Sequence, residues 1–238
     1  MEKSSVSPVR ENLARVEERI CAACAAAGRP RDSVQLMAVT KTVEVSRIRE
    51  AIDAGVGLIG ENRVQEYLAK QPALSDRPAV RVHLIGHLQT NKVKSIVGQV
   101  DMIQSVDSLR LAQLISRRSM ELGSVTPILV EVNIGGEDAK SGIAPDELED
   151  LLGSMALLPG ISVQGLMTVP PISQKESEKR GFFAKMHRLL VDMRDKNIDN
   201  IDMRILSMGM SGDFPEAILE GSTLVRVGSA IFGQRVYP

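Results

Sequence analysis

The chain has 238 residues, of which 43% are hydrophobic, and its 29 Lys and Arg against 30 Asp and Glu give a formal net charge of -1. This length and apolar content are enough to bury a substantial core, and one domain of this size is common among α/β barrels. The absence of a basic block and an aromatic content of only 3% argue against the electrostatic patch and the stacking surface of a nucleic-acid-binding protein, so we expect no nucleic-acid partner.

The first segment, MEKSSVSPVRENLARVEERI, has no apolar centre typical of a signal peptide, and no apolar run in the chain approaches the roughly 18 residues that span a bilayer. We therefore expect a cytoplasmic protein without a membrane partner. A helix is predicted from about Pro8 to Ala27. Its C-x-x-C pair, Cys21 and Cys24, has no second ligand pair, so two reduced thiols are favoured over a metal or redox site.

After this helix, short apolar runs alternate with amphipathic stretches, as buried parallel strands alternate with helices. Eight runs are predicted as strands: VQLMAV from Val34, GLIG from Gly57, VHLIG from Val82, MIQSV from Met102, ILVEVNI from Ile128, VQGLMTV from Val163, RILSMG from Arg204 and LVRVG from Leu224. The helical stretches include EVSRIREAIDAG, SLRLAQLISRRSMELG, PDELEDLLGSMALLPG and KRGFFAKMHRLLVDMRDK, several of which close on glycine. No linker marks a second domain. This pattern predicts a single α/β domain over residues 1–238, a (β/α)8 TIM barrel with an extra N-terminal helix.

A barrel of this kind carries its chemistry at the carboxyl ends of its strands. Those positions hold Lys41 after strand one, Glu61, Asn62 and Arg63 after strand two, His87, Gln89 and Asn91 after strand three, Asn133 after strand five, Met167 and Thr168 after strand six, SMGMSGD after strand seven and RVGSAIFG after strand eight. The sequence therefore predicts a largely polar mouth at one end of the barrel.

The loops after strands seven and eight contain small residues whose backbone N–H groups can approach an anion. These residues are Ser207, Gly209, Ser211, Gly212, Gly228 and Ser229. Barrels commonly hold a phosphate on these two loops, so we predict a phosphate site there, with ordinary tight turns as the alternative. No P-loop is present and no G-x-G-x-x-G follows a strand, so nucleoside triphosphates and dinucleotides are not indicated.

Lys41 faces the predicted phosphate site across the mouth. A lysine in this position suggests a Schiff base with an aldehyde-bearing phosphate ester, which is pyridoxal 5'-phosphate (PLP). The alternatives for Lys41 are a solvated cation and a group that pairs with the phosphate.

Arg226 lies inside the eighth strand, where a guanidinium is costly without a partner. One interpretation places it against the pyridine nitrogen of PLP, which would leave that nitrogen unprotonated and weaken the ring as an electron sink. The other pairs it with a carboxylate such as Glu131 in the barrel interior.

Seven segments, in this order along the chain, match a known family: AVTKTVEVSRIREAIDAGVGLIGENRVQE, VHLIGHLQTNKVK, IQSVDS, VNIGGEDAKSGI, GLMTV, LSMGMSGDFPEAI and VRVGSAIFG. On these segments the chain resembles the pyridoxal-phosphate homeostasis protein family (the YggS/PROSC type), whose fold is similar to the barrel domain of alanine racemase. By this resemblance Lys41 is the Schiff-base lysine, Asn62 lies beside the cofactor ring and Arg226 faces the ring nitrogen. The same resemblance places the phosphate at Ser207, Ser211, Gly212, Gly228 and Ser229.

The resemblance implies a PLP-binding protein of cofactor homeostasis that supports PLP supply and the balance of amino acids and keto acids, without established turnover. PLP-dependent apo-enzymes are candidate partners, and a monomer is expected. The second hypothesis is a PLP-dependent amino-acid racemase, and the third is a barrel that binds another phosphate ester without a Schiff base. The racemase is disfavoured because it needs a second base, a tyrosine from another subunit, and neither Tyr67 nor Tyr237 stands in a matching motif.

The remaining candidates are the three histidines and one loop. We expect His83 to be a hydrogen-bonded core residue, His87 to line the mouth or cap the next helix, and His187 to lie on the surface; their spacing predicts no metal site. The polar loop EDAKSGI, from Glu137, is a candidate lid or docking surface.

Overall fold

Eight parallel strands close into a barrel in chain order, with β8 paired to β1. The computed structural model describes residues 7–137, 140–171 and 175–234. The strands are β1 Gln35–Val39, β2 Leu58–Glu61, β3 Arg81–Leu84, β4 Met102–Val106, β5 Thr126–Glu131, β6 Ile161–Met167, β7 Ile201–Met210 and β8 Leu224–Val227. The predicted α/β barrel is confirmed.

Helices surround this barrel. Within the described residues they are α1 Pro8–Ala26, α2 Val45–Asp53, α3 Val64–Lys70, α4 Val93–Ile96, α5 Leu109–Glu121, α6 Leu148–Met155, α7 Glu176–Asp195, α8 Phe214–Leu219 and α9 Ser229–Phe232. Short 3-10 turns precede β1, α4 and α6 and follow α3.

The N-terminal helix α1 packs against α8 and α9 outside the barrel. It begins where Ser7 accepts a hydrogen bond from the N–H of Val9 and where Pro8 needs no acceptor. Its apolar side chains are buried on one face, and Arg19 stacks 4.4 Å from the centre of the Phe214 ring. The predicted helix is confirmed to within one residue at its carboxyl end.

Side chains alternate between two sides of each strand, which gives the barrel an outer and an inner layer. The outward-facing residues form one large apolar core under the helices. The lower part of the interior is also apolar and consists of two clusters, Met37, Leu58 and Leu224 with Ile85 and Ile205, and Met102, Leu129 and Met167 with Ile205. The next inward-facing residues on these strands, nearer the carboxyl ends, are polar and lie directly beneath the mouth.

The predicted helices match α2, α5, α6 and α7, with boundaries that differ by one to five residues. Two of the predicted glycine stops have the left-handed backbone that such a stop requires, namely Gly55 with φ 105° and Gly123 with φ 65°. The strand β7 is longer than predicted at its amino end.

Candidate functional site

A cavity of about 570 Å³ opens at the carboxyl ends of the strands. Its lining consists of Val39, Lys41, Asn62, Ile85, Val169, Met210, Ser211, Gly212, Arg226, Gly228, Ser229 and Gln234. Seven of the eight residues proposed from the sequence therefore surround one cavity, and Ser207 is the exception.

Lys41 lies in a tight turn directly after β1, with its side chain partly buried. The next residue, Thr42, has φ 60°, a left-handed conformation that is uncommon for a residue with a side chain. The N–H of Thr42 donates to Glu66 Oε1 at 2.5 Å, and Lys70 Nζ donates to the carbonyl oxygen of Thr40 at 2.8 Å. The helix α3 therefore holds this turn on both sides of Lys41.

Two carboxylates share the ammonium group of Lys70. Lys70 Nζ donates to Glu66 Oε1 at 2.6 Å and to Glu61 Oε1 at 3.0 Å, and Thr40 Oγ1 donates to Glu61 at 2.7 Å. Glu61 is 1% exposed, and this burial raises the pKa of its carboxyl group although Thr40 and Lys70 act in the opposite direction. Burial also acts on Glu66, but the bonds from Lys70 and from the N–H of Thr42 outweigh it and lower the pKa of Glu66.

Asn62 follows β2 and carries an unused hydrogen-bond acceptor. Its Oδ1 atom is buried and has no hydrogen-bond partner among the described residues. A Cβ atom on Gly86 would lie 2.2 Å from the carbonyl oxygen of Asn62, so only glycine lets the loop after β3 approach this closely. The backbone of Asn62 therefore packs closely against the loop after β3, and its side-chain oxygen can accept a hydrogen bond from a ligand.

Ser211 joins the loop after β7 to the start of α9. Its Oγ atom accepts hydrogen bonds from the N–H groups of Gly228 at 3.1 Å and Ala230 at 3.2 Å. A Cβ atom on Gly212 would meet no heavy atom within 4 Å, so the space beside this glycine is open. Ser211, Gly212, Gly228 and Ser229 form one wall of the cavity, made of small residues.

Arg226 is 4% exposed and projects from β8 to the floor of the cavity. Its Nη1 donates to Ser207 Oγ at 2.7 Å and its Nη2 donates to the carbonyl oxygen of Thr168 at 2.7 Å. The described residues show no ion pair between Arg226 and Glu131, so the predicted alternative of a direct pair is not found. Burial lowers the pKa of Arg226 to about 10, with Glu131 and Asp213 opposing the shift, and the guanidinium stays charged at neutral pH.

Ser207 does not line the cavity, in contrast to the position predicted for it beside a phosphate. It is fully buried in the barrel interior, where its Oγ accepts from Arg226 and donates to Gln104 Oε1 at 2.7 Å. The cause is the alternation of β7: Leu206 and Met208 belong to the outer core, which turns Ser207 inward below the mouth.

Glu131 and Gln104 are two interior residues that sequence reasoning did not place in the site. Burial raises the pKa of Glu131 to about 7; the charge of Asp107 adds to the rise and Arg226 opposes it. Glu131 Oε2 is buried without a hydrogen-bond partner in the described chain. A lone glutamine in the apolar run MIQSV was the one sequence signal for Gln104.

The three histidines lie in different surroundings. His83 is a buried core residue whose Nδ1 lies 2.8 Å from Gln104 Nε2, and His187 is exposed on α7, as predicted for both. His87 Nδ1 lies 3.4 Å from Ser141 Oγ and 3.8 Å from Asp107 Oδ2, outside the cavity lining. None of the described His, Cys, Asp and Glu side chains form a group of three or more that could hold a metal ion.

Three further expectations concern Tyr67, Tyr237 and the loop EDAKSGI. Tyr67 is buried on α3 and donates to the carbonyl oxygen of Gln99 at 2.8 Å, away from the cavity lining. Tyr237 lies outside the described residues, as do Asp138 and Ala139 of the loop. Lys140 Nζ donates to the carbonyl oxygen of Pro170 at 3.1 Å, which connects this loop to the segment after β6.

Comparison with known proteins gives the chain a family. The sequence profile described as "Alanine racemase, N-terminal domain" matches residues 11–236. A protein of Aquifex aeolicus named "Pyridoxal phosphate homeostasis protein" is similar at 43% identity over 227 residues, which cover 95% of this chain and 98% of that protein. The chain belongs to the pyridoxal phosphate homeostasis protein family. This confirms the resemblance drawn from the seven segments.

Solved structures of similar sequence have the same barrel. An unknown protein from Bifidobacterium adolescentis is 41% identical with a TM-score of 0.92, and the match covers 98% of this chain and 97% of the other. PipY of Synechococcus elongatus, solved with PLP bound, is 36% identical with a TM-score of 0.82, covering 92% of this chain and 100% of PipY. Within the described part of this family member, no helix has the length and apolar character needed to cross a membrane.

Proposed function

We propose that this chain is a PLP-binding protein of cofactor homeostasis that holds PLP in the cavity at the mouth of the barrel. The observation that carries the proposal is the meeting of Lys41, Arg226 and the wall formed by Ser211, Gly212, Gly228 and Ser229 around one cavity. These three features match three parts of PLP: a lysine amine can react with its aldehyde, an arginine can donate to its ring nitrogen, and the small-residue wall can bind its phosphate. The PLP-bound relative supports the same assignment.

The donors and acceptors of the cavity fit this cofactor. Asn62 Oδ1, which has no hydrogen-bond partner among the described residues, suits a hydroxyl donor on the ring, and Arg226 presents N–H donors to an unprotonated ring nitrogen. Lys41 supplies an amine for a Schiff base with the aldehyde, which is the chemistry that the bound cofactor contributes. The wall offers the phosphate the hydroxyls of Ser211 and Ser229 and backbone N–H groups other than that of Gly228, which already donates to Ser211 Oγ.

Ser207 acts on Arg226 in this proposal instead of contacting the phosphate. It is buried and already joins Arg226 to Gln104, so its hydroxyl holds the guanidinium that faces the cofactor ring.

We propose further that the protein keeps and releases PLP without efficient turnover of amino acids. Racemisation needs bases on both faces of the substrate carbon, and Lys41 serves one face. Tyr67 is bonded to a carbonyl oxygen outside the cavity, and no tyrosine of the described residues lines it. Arg226 also leaves the cofactor ring a poor electron sink, because a charged donor at the ring nitrogen keeps that nitrogen unprotonated.

The proposal extends to partners and organisation. PLP-dependent apo-enzymes are the proposed recipients of the cofactor, and the chain is proposed to act in the cytoplasm as a monomer whose residues 1–238 form one domain. The opening of the cavity at the mouth supports release of PLP to solvent or to a partner.

A titration of the apo-protein with PLP tests the proposal. The wild-type protein is expected to bind PLP and to develop the absorbance of a lysine-bound cofactor, whereas Lys41→Ala lacks this absorbance and binds more weakly. Lys94→Ala, which removes an exposed lysine of α4, is the control and should behave as the wild type. An unchanged spectrum in Lys41→Ala, or no binding by the wild type, would contradict the proposal.

A further inference from the structure

Four buried side chains form one continuous hydrogen-bonded run across the barrel interior, from the floor of the cavity to the opposite wall. Arg226 Nη1 donates to Ser207 Oγ at 2.7 Å, Ser207 Oγ donates to Gln104 Oε1 at 2.7 Å, and Gln104 Nε2 lies 2.8 Å from His83 Nδ1. None of the four residues is more than 4% exposed. They come from β8, β7, β4 and β3, and we call them the Arg226–His83 chain.

The chemistry of its first member fixes the direction of every bond in the Arg226–His83 chain. A guanidinium can only donate, so Ser207 Oγ accepts from Arg226 and its own hydrogen points to Gln104. The hydroxyl hydrogen needs an acceptor, which turns the carbonyl oxygen of Gln104 towards Ser207 and its NH2 group towards His83. Nδ1 of His83 must then accept, so His83 is neutral with its proton on Nε2.

The surroundings of His83 agree with this assignment. Burial, with a smaller contribution from the charge of Arg81, lowers the pKa of His83 to about 3. His83 therefore stays an acceptor at every pH at which the protein is expected to work, and the direction of the Arg226–His83 chain does not change.

The direction matters because Arg226 is a buried charge that donates to two acceptors within the described part of the chain, Ser207 Oγ and the carbonyl oxygen of Thr168. If the hydroxyl of Ser207 rotated, it would present its hydrogen to the guanidinium and one acceptor would be lost. We propose that Gln104 and His83 are positioning residues, which keep Ser207 Oγ an acceptor and thereby fix the guanidinium of Arg226 at the cofactor ring. This role rests on the proposed PLP site.

The apolar layer beneath the Arg226–His83 chain shows that the barrel interior can be filled without polar side chains. Met102 lies two residues before Gln104 on β4 and packs with Leu129 and Met167 in an apolar cluster. Buried polar groups are costly unless all of them are satisfied, and a complete network holds its members in one arrangement. The Arg226–His83 chain is therefore suited to orienting one group, the guanidinium at the cavity floor.

The first test uses the apo-protein and is independent of PLP binding. Nitrogen-15 NMR of the histidine side chains should show His83 with an unprotonated Nδ1 and a protonated Nε2, unchanged from pH 5 to 9, with His87→Gln and His187→Gln variants used for assignment. In Ser207→Ala the Gln104 amide is free to reverse, so part of the His83 population should gain a proton on Nδ1. A protonated Nδ1 in the wild type, or no response to Ser207→Ala, would overturn the inference.

The second test measures PLP affinity and the absorbance spectrum of the holo-protein. Gln104→Leu and Ser207→Ala should each raise the Kd for PLP about tenfold, the effect of one lost hydrogen bond to a charged group, and shift the absorbance of the bound cofactor. His83→Asn keeps an acceptor near the position of Nδ1 and should bind within about threefold of the wild type, whereas His83→Leu should resemble Gln104→Leu.

Met102→Leu is the matched control, because it changes an apolar residue of the same strand and removes none of the hydrogen bonds of the Arg226–His83 chain, and it should keep the wild-type Kd and spectrum. Wild-type PLP binding in both Gln104→Leu and Ser207→Ala would refute the positioning role while leaving the proposed function intact. Failure of the wild type itself to bind PLP would instead remove the proposed function, and the NMR test would still decide the direction of the chain.

Discussion

At Glu131, burial opposes the ionisation of a carboxyl group. It is 9% exposed, one of its oxygens has no hydrogen-bond partner in the described chain, and burial raises the pKa of its carboxyl group from an ordinary 4.5 to about 7. The folded protein therefore binds a proton more tightly than the unfolded chain does. Below about pH 4.5 the carboxyl group of Glu131 is protonated in both the folded and the unfolded state, and its burial carries no charge. Above about pH 7 it is ionised in both states, and the folded protein bears the full cost of a buried charge. The free energy of unfolding therefore falls as the pH rises between these two values.

The first prediction follows from this carboxyl group. Glu131→Gln should be more stable than the wild type at pH 8 by on the order of 3 kcal/mol, and nearly equal to it at pH 4, because the amide cannot ionise. Urea unfolding between pH 4 and 8 measures the difference. The exposed Glu147→Gln serves as control and should leave the pH dependence unchanged. A difference between Glu131→Gln and the wild type that does not vary with pH would show that this carboxyl group does not titrate in the window.

The second prediction concerns the small-residue wall of the cavity. Ser229→Asp should raise the Kd for PLP about 5- to 30-fold, because a carboxylate beside a phosphate group costs roughly 1–2 kcal/mol even when partly screened. Ser95→Asp makes the same change of charge at an exposed position on α4 and should bind PLP as the wild type does. Equal affinity of both variants, measured by titration, would place the phosphate elsewhere.

Among the elements, α3 supports the site without lining its cavity. This helix of seven residues supplies Glu66 and Lys70, which bond to the turn on either side of Lys41. Lys70 also neutralises Glu61, whose side chain is 1% exposed and whose Oε2 has no partner among the described residues. The stability of the protein and the position of its site lysine therefore depend on one ammonium group.

The third prediction tests this dependence. Lys70→Met should lower the free energy of unfolding by roughly 3 kcal/mol, because removal of one partner leaves the buried carboxylate of Glu61 uncompensated. Lys196→Met breaks an exposed ion pair with Glu149 and should cost less than about 1 kcal/mol. Denaturant unfolding of the two variants at pH 7 gives the comparison. An equal loss of unfolding free energy in both would mean that the ion pairs of Lys70 with Glu61 and Glu66 stabilise the protein no more than a surface ion pair does.

Much of the element order could be predicted from the sequence, because strands covered on both faces are nearly continuous apolar runs bounded by turns. The helices α3 and α4 were missed, since seven and four residues are too short to show a helical period. Lys41, Asn62 and the wall residues were found because they directly follow strands. The hydrogen bonds from Arg226 to Ser207 and from Ser207 to Gln104 were not found, because they join residues 19 and 103 positions apart that only the closed barrel brings together.

The whole molecule places one lysine, one arginine and a small-residue wall at the mouth of a closed barrel. The fourth prediction is that this arrangement binds PLP but racemises alanine slowly. Incubation of the holo-protein with L-alanine in deuterated water should show little exchange at Cα and little D-alanine, because one face of the substrate carbon lacks a base and general-base assistance contributes about 10²–10⁴-fold. Turnover at ordinary enzyme rates, on the order of 1–10³ per second, would reinstate the racemase hypothesis, with His87 the first residue to change.

Borohydride reduction of the holo-protein followed by peptide mass mapping shows whether Lys41 carries the cofactor. Reduction makes the bond between cofactor and lysine permanent, so the modified peptide identifies the residue. We predict a single pyridoxyl group on the peptide that contains Lys41, and none after reduction of Lys41→Ala. A pyridoxyl group found mainly on Lys92, Lys94 or Lys140 would show that Lys41 is not the lysine that carries PLP.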